Sequence, residues 1–403
     1  MPTTIKVTFV GDVMCKEEML PAYGSKDGGF DFSPLFAHMK SYFSKSDLVV
    51  ANLETPISDD IDNLTSERYS FCSPRAFAEA VRDCGITAVS TANNHCLDRG
   101  IDGIVSTVET LDKVGVLHTG VFADSSRRTP LIVTVGGMRI GIMSYTYGTN
   151  AFSNNCYLSK SEFWRVNLFQ EQELSRPFTR FRYRHGGLLP LKVLNKVISL
   201  FSENSRRPVY ERRERSRKRM DMLSADIARM HAEHPDLVVM CMHAGGQYNP
   251  EATADTKALA TWLLDNGIDV VVGTHEHVVH GGDFNRSDGR VATYCLGNFD
   301  GIDGVFEKPF DMLAEYSIAW NIYLDLSQIG SNAISEITFS VLKSIPLAGT
   351  ENGIQVVPAA ELYVEESDPN IKAKLLADVK VVAKRFSGYD MVVGRVKDEY
   401  SLV

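Results

Sequence analysis

Thr87-Ala88-Val89-Ser90-Thr91-Ala92-Asn93-Asn94-His95 is the stretch on which the fold class turns. Thr87 to Thr91 are small or β-branched and uncharged, as in a strand buried on both faces. The chain then ends abruptly in Asn93-Asn94-His95, three polar residues of the types that bind ligands. Gly103 to Val114 returns with helical periodicity. Strand, polar terminus and returning helix together make the unit of an α/β sheet, which places its sites at the carboxyl ends of its strands.

The same grammar extends in both directions. Upstream, Ile5 to Val10 reads as a strand ending at Gly11-Asp12, and Asp47 to Ala51 as one ending at Asn52-Leu53-Glu54. Pro74 to Cys84 is helical, with Phe77, Ala80 and Val81 on one face. Downstream, Leu131 to Thr146 gives two strands around Gly136-Gly137, a hairpin signal. Helices are predicted over Met220 to His234 and Lys257 to Asn266. The strand Leu237 to Met242 runs into His243, and Val270 to Val272 stops short of His275. Three further strands follow without helices between them: Val291 to Cys295, Tyr316 to Leu324 and Ile334 to Val341. Ile371 to Phe386 reads as a terminal amphipathic helix.

The strand ends gather Asp12, Glu54, Asn94, His243, His275 and His277. Each alone has an ordinary explanation: a helix cap, a turn amide, a satisfied core imidazole. Six gathered on five strand ends do not. Mixed carboxylate, imidazole and amide oxygen donors suit one or two divalent cations, with Mn, Zn, Fe, Mg and Ca all compatible. A shared Glu54 would let two cations sit about 3.5–4 Å apart. His-x-His after an apolar strand brings both rings to one place only if the chain bends between them.

The order of motifs resembles the CapA family of capsule (poly-γ-glutamate) synthesis, a branch of the calcineurin-like metallophosphoesterase superfamily. The resemblance rests on Gly11-Asp12-Val13-Met14, Asn52-Leu53-Glu54-Thr55-Pro56 and Ala92-Asn93-Asn94-His95 with Asp98 and Gly100. It continues through His243-Ala244-Gly245-Gly246-Gln247-Tyr248, Gly273-Thr274-His275-Glu276-His277-Val278 and Leu296-Gly297-Asn298-Phe299. It implies a four-layer αββα sandwich with the metals at one edge. By position it implies Asp12, Glu54 and His277 for one metal, and Glu54, Asn94, His243 and His275 for the other. His95 matches the histidine that acts as acid or orients substrate, with Asp98 fixing its tautomer and Asn298 contacting substrate. One departure stands out: the phosphoesterases carry Asp-x-His on the first strand, and here the third position is Met14. That removes an imidazole and puts phosphoester hydrolysis in doubt.

Charge divides the chain. Its 403 residues carry 42 Lys+Arg and 51 Asp+Glu, a formal −9. Between Arg176 and Arg219 stand 14 bases and three acids, leaving 28 bases against 48 acids elsewhere. An acidic body with one basic segment is not a general nucleic-acid-coating protein. Residues 150–219 interrupt the strand–helix alternation and read as an insertion between catalytic segments 1–149 and 220–345, with 346–403 as a C-terminal extension. In the insertion, Phe178, Phe181 and Tyr183 interleave with Arg176, Arg180, Arg182 and Arg184. Arg180, Arg182 and Tyr183 are candidates for docking a peptide with an acidic segment. A solvated helix from Tyr210 to Arg219 is the plainer reading of its second half.

No apolar run approaches the roughly 18–20 residues of a spanning helix, and no signal peptide is apparent, so a cytoplasmic protein is expected. The seven cysteines lack CxxC pairs and are expected as buried thiols. The resemblance extends to cytosolic members of the lasso-peptide epimerase type, which invert the Cα of a residue in a ribosomal precursor peptide. That chemistry needs positive charge beside a carboxylate, a base on one face and an acid on the other. His95 is the first candidate, with His280 or Asp300 opposite and the thiols of Cys15, Cys96 and Cys295 behind them. The alternatives are a hydrolase of γ-glutamyl, peptide or phosphoester bonds, a capsule-synthesis protein, and a non-catalytic binding module.

Overall fold

The computed structural model describes residues 3–25, 28–60, 70–151, 154, 156–172, 214–301 and 312–402. In chain order the strands of its first half are β1 (Thr4–Val13), β2 (Leu48–Leu53), β3 (Ile57–Ser58), β4 (Ser73–Pro74), β5 (Ala88–Ser90), β6 (Leu117–Thr119), β7 (Leu131–Val135) and β8 (Met138–Thr146). The second half adds β9 (Leu237–His243), β10 (Val270–Thr274), β11 (Val279–Asp283), β12 (Val291–Leu296), β13 (Tyr316–Asp325), β14 (Ile334–Pro346), β15 (Ile354–Pro358) and β16 (Tyr400–Ser401).

Two large mixed sheets result. The first has the order β15-β14-β13-β1-β2-β5-β6, with β16 on β14, and the second β11-β12-β10-β9-β8-β7. Each has a parallel centre: β1, β2, β5 and β6 in one, and β12, β10, β9 and β8 in the other. The central strands are buried along nearly their whole length, which explains their unbroken apolar reading.

Three apolar cores separate four layers. Between the sheets, Phe9, Val50, Ile142, Val239, Val272 and Trp320 share one core. On the outer face of the first sheet, Val49 and Val89 pack with Phe77 and Val81 of helix Arg75–Asp83 and Leu111 of helix Gly100–Val114. On the outer face of the second, Met240 and Val271 pack with Ile227 of helix Glu214–Ala232 and Leu263 of helix Ala254–Asp265. The architecture is the αββα sandwich that the motifs imply.

Residues 346–403 are woven into this frame. β15 and β16 extend the first sheet, and helix Pro369–Ser387 sends Val379, Val382 and Phe386 into the inter-sheet core. That helix starts with Asp368 accepting the Asn370 N–H and Pro369 at its first position, and stops at Gly388 with φ 81°. The interruption predicted over 150–219 is narrower among the described residues. Val166 bridges to Val121 and Leu168 to Thr146, and Leu158, Val166 and Leu168 pack with Leu97, Ile104 and Val108. At the far end Arg219 is buried, 3.4 Å from Glu171 and stacked 4.5 Å from the Phe163 ring, inside the helix Glu214–Ala232. Apolar residues spaced singly among polar ones hid this packing. Arg180, Arg182 and Tyr183 lie outside the described residues.

Among the described residues no helix is long and apolar enough to cross a membrane. All seven cysteines are free thiols, six of them buried.

Candidate metal centre

The two sheets touch where β1 meets the end of β12. The Asp12 N–H donates to Gly297 O at 3.1 Å, and the Phe299 N–H to Asp12 O at 2.8 Å. This approach needs glycine at position 11, where a Cβ would fall 1.8 Å from Gly297 O. The parallel strands of both sheets therefore discharge their polar termini into one place: Asp12 from β1, Glu54 after β2, Asn94 after β5, His243 from β9 and His275 after β10.

Glu54 is the centre of the cluster. It is wholly buried, and neither of its carboxylate oxygens has a hydrogen-bond partner. One stands 3.5 Å from His243 Nε2. Donor atoms of Glu54, His275 and His277 lie within 4.8 Å of one another, as do those of Asp12, Glu54 and His243. Glu54 belongs to both groups, and His277 Nδ1 also lies 3.4 Å from Asp12 Oδ2. Burial first, and then the Asp12 carboxylate, hold the Glu54 carboxyl well above its usual pKa. Burial and the neighbouring imidazoles push His243 and His275 well below theirs, so both rings are neutral, as metal ligands must be.

The surroundings fix each donor. Asp12 accepts from Asn52 Nδ2 at 2.8 Å and from the His275 N–H at 3.2 Å. His243 Nε2 donates to Asn94 Oδ1 at 2.7 Å, and its Nδ1 meets the Thr274 hydroxyl at 2.9 Å. Because that hydroxyl can donate or accept, the ring can exchange tautomers and offer Nε2 to a cation. His275 Nδ1 has no partner and its ring lies 4.6 Å from that of Tyr147. The bend demanded by His-x-His is taken by left-handed backbone at both histidines, φ 97° at His275 and 61° at His277. Such conformations are costly for non-glycine residues and cluster at functional sites. His277 Nδ1 donates to Asn298 Oδ1 at 2.8 Å, so Asn298 orients a ligand.

His95 lies on the β5 side. Its Nδ1 donates to Asp98 Oδ2 at 2.7 Å, and the Phe71 ring covers it at 4.3 Å. Asp98 is held in turn by the Phe71 N–H at 2.7 Å and Asn154 Nδ2 at 2.6 Å. His280 is buried in β11, and its Nε2 donates to Asn249 O at 2.9 Å. Its other nitrogen faces Glu276 Oε2 at 3.7 Å, so its polar contacts run to a loop and not to the Glu54 cluster. Asp300 is fully buried, accepts the Met14 N–H at 2.8 Å through Oδ1, and leaves Oδ2 without a partner.

Several contributors were not assigned roles from sequence. Asn52 joins Asp12 to His243, Asn93 ties Leu53 O to the His95 N–H, Thr274 meets His243, and Glu276 holds the loop at Gly246 and Asn249. Asn52 was discoverable, because it lies two residues before Glu54 and strand periodicity puts both on one side.

The profile of the family described as bacterial capsule synthesis protein PGA_cap matches residues 6–301. The chain belongs to this family. Among its relatives, the capsule biosynthesis protein CapA of Bacillus anthracis is 23% identical over 325 residues, covering 79% of this chain and 64% of that protein. The PGA biosynthesis protein CapA of Bacillus subtilis (strain 168) is 22% identical over 320 residues, covering 79% and 68%. This PGA_cap member thus spans somewhat less than two thirds of the Bacillus anthracis relative. Among solved structures, a hypothetical protein from Thermus thermophilus superposes with a TM-score of 0.40 at 16% identity, covering 88% of this chain and 98% of that one. A phosphatase from Mycoplasma pneumoniae gives 0.39 at 15%, covering 89% and 94%. The four layers, rather than these scores, establish the fold.

Proposed function

We propose that this PGA_cap member is a metal-dependent enzyme that acts on a carboxylate-bearing peptide. Glu54 supports the reading most directly: a carboxylate sealed from water without a donor is costly, and a divalent cation is the partner its neighbours suit. When bound, such a cation supplies Lewis-acid polarisation of a substrate oxygen. Asp12, Glu54, Asn94, His243, His275 and His277 would hold it, and the chain's own proton transfer falls to His95. The Asp98 contact fixes the proton on Nδ1, which leaves Nε2 as the base in one direction and the acid in the other. The excess of 11 positive charges between Arg176 and Arg219 suits an acidic substrate segment.

The finer reading is inversion at Cα in a precursor peptide. His95 breaks the Cα–H bond, the electron pair enters the adjacent carboxylate system, and a second acid returns a proton from the opposite face. Asp300 is the partner we favour, because it sits at the end of β1 with Oδ1 on the Met14 N–H and Oδ2 bare, and burial raises its pKa above the usual range. A second reading, hydrolysis of a γ-glutamyl or peptide bond with His95 protonating the leaving nitrogen, draws on the relatives named for capsule and PGA biosynthesis.

The Mn²⁺-loaded protein should be incubated in D₂O with precursor peptides, a γ-glutamyl oligomer and a phosphoester. A gain of one mass unit without cleavage supports inversion, and fragments or phosphate support hydrolysis. His95→Ala should abolish either while leaving the metal content intact. A protein that loads no cation ends the metal-dependent reading altogether.

A further inference from the structure

The loop after β9 carries Gly245-Gly246-Gln247-Tyr248-Asn249 past the ligand cluster, and Glu276 pins it from below. The Tyr248 N–H donates to Glu276 O at 2.8 Å. The Gly246 N–H and the Asn249 side chain bond the Glu276 carboxylate, which Thr256 Oγ1 also approaches at 3.4 Å. Gly245 has φ 130°, and a Cβ there would meet Glu276 Oε1 at 2.2 Å. Both the backbone conformation and the close contact require glycine, so the loop has one seat. Tyr248, at φ 57°, packs its ring 5.3 Å from His277. On this support Gln247 is exposed, yet its Nε2 lies 3.2 Å from His277 Nε2.

The tautomer of His277 gives that contact its meaning. Nδ1 lies 2.8 Å from Asn298 Oδ1 and 3.4 Å from Asp12 Oδ2, two acceptors, so Nδ1 carries the hydrogen. Nε2 therefore bears the lone pair, and the Gln247 amide donates into it. If His277 held a cation, it would have to use the same lone pair. The two uses exclude each other, and the Gln247 N–H would then be free beside His277. A neutral carboxamide there adds a donor without adding charge, which suits one oxygen of a carboxylate.

We infer that Gln247 is a specificity-determining residue, whose carboxamide receives a substrate carboxylate beside His277. The inference rests on the metal-dependent reading above and names the group that recognises its substrate class.

Binding measurements on the full chain test it, with Mn²⁺, a γ-linked glutamate trimer and the fully amidated trimer as probes. Gln247→Ala should take up Mn²⁺ as tightly as the parent or a few-fold more tightly, because a competitor for Nε2 is gone. It should bind the trimer about tenfold or more weakly, the loss expected for one hydrogen bond to a charged group, and the amidated trimer unchanged. Gln247→Glu should bind Mn²⁺ more tightly and the trimer more weakly. Trimer affinity within twofold of the parent in Gln247→Ala, or an equal loss for both trimers, overturns the inference and leaves the metal reading standing. Weakened Mn²⁺ uptake in Gln247→Ala also overturns it, by making the amide part of the metal's support. A parent that loads Mn²⁺ but binds neither trimer overturns the carboxylate assignment alone. A parent that loads no Mn²⁺ overturns the metal reading, and the inference with it.

Discussion

Thr8 and Asp12 lie four residues apart on β1, both fully buried, and they serve two polar regions built on opposite terms. The Thr8 hydroxyl donates to Asn321 Oδ1 at 2.8 Å and pairs with Ser46. Asn321 donates on to Thr338 Oγ1 at 3.1 Å, Tyr42 donates to Ser340 Oγ at 2.8 Å, and Thr338 to Glu399 Oε2 at 2.8 Å, where Lys6 closes the chain. In this network each group has found a partner within the protein. Around Asp12 the neighbours include a Glu54 with two bare oxygens and a His275 with a bare nitrogen. Buried polar groups are normally satisfied, so the first region is what stability selects, and the second requires something from outside the chain.

The largest expected effect breaks that contrast at its centre. Glu54→Gln should lower metal affinity by more than the 10–100-fold that an outer partner's loss costs, and turnover by about 10³-fold or more. In chelator-treated protein the same change should leave the urea midpoint unchanged or raise it, since it replaces a buried carboxyl that must stay protonated with an amide that is neutral at every pH. A clear fall in that midpoint would show that Glu54 is stabilising the fold, and the distinction between the two regions would be lost.

Asn321→Ala is the mirror experiment. It removes the hydrogen bonds to Thr8 and Thr338, whose hydroxyls keep Ser46 and Glu399, and stability should fall by about 1–3 kcal/mol with metal stoichiometry unchanged. Urea melts and elemental analysis of the purified variant check both halves.

The two regions also differ in how far the sequence reveals them. Asp12, Glu54, Asn94, His243 and His275 announce themselves because each follows an apolar run, and strand ends converge in any parallel sheet. Asn321 gives no such sign, sitting mid-strand in β13 with partners 313 residues back at Thr8 and 17 ahead at Thr338. β1, β2, β5 and β7 to β10 were legible because their runs are largely apolar. β3, β4, β6, β11, β15 and β16 were not, being short strands at the margins whose pairing is decided by neighbours rather than by composition. The strand position of His280 was hidden for the same reason. Three residues past His277 it belongs to β11, whose register sets it opposite Cys295.

A smaller effect separates the regions by pH. Burial and Asp12 raise the Glu54 pKa, so the folded chain holds a proton in a window where the unfolded chain has lost it. Stability of the metal-free protein should therefore decline as pH climbs from the ordinary glutamate value towards the raised one. Cation binding needs the ionised carboxylate, so it should release one proton and tighten about tenfold per pH unit across that window. His243 and His275, with lowered pKa values, are already neutral and release none near pH 7. Calorimetry in two buffers of different ionisation heat counts the protons. Zero released would mean Glu54 is ionised without a cation, contrary to its surroundings.

The smallest effect concerns a pair that fits neither region cleanly. Glu276 Oε2 and His280 Nδ1 are both buried without partners, like the atoms of the metal cluster, yet they face one another at 3.7 Å. One proton between them would satisfy both atoms, so this pair asks for nothing from outside the chain. His280→Gln keeps an N–H that can reach Asn249 O and an amide beside Glu276. The change should therefore shift stability by no more than about 1 kcal/mol and turnover by no more than a few-fold. Metal content should stay at the parent's value. A hundredfold loss of turnover with the metal retained would instead put His280 among the acid–base groups, and the orphaned atoms of Glu276 and His280 would belong with those of Glu54.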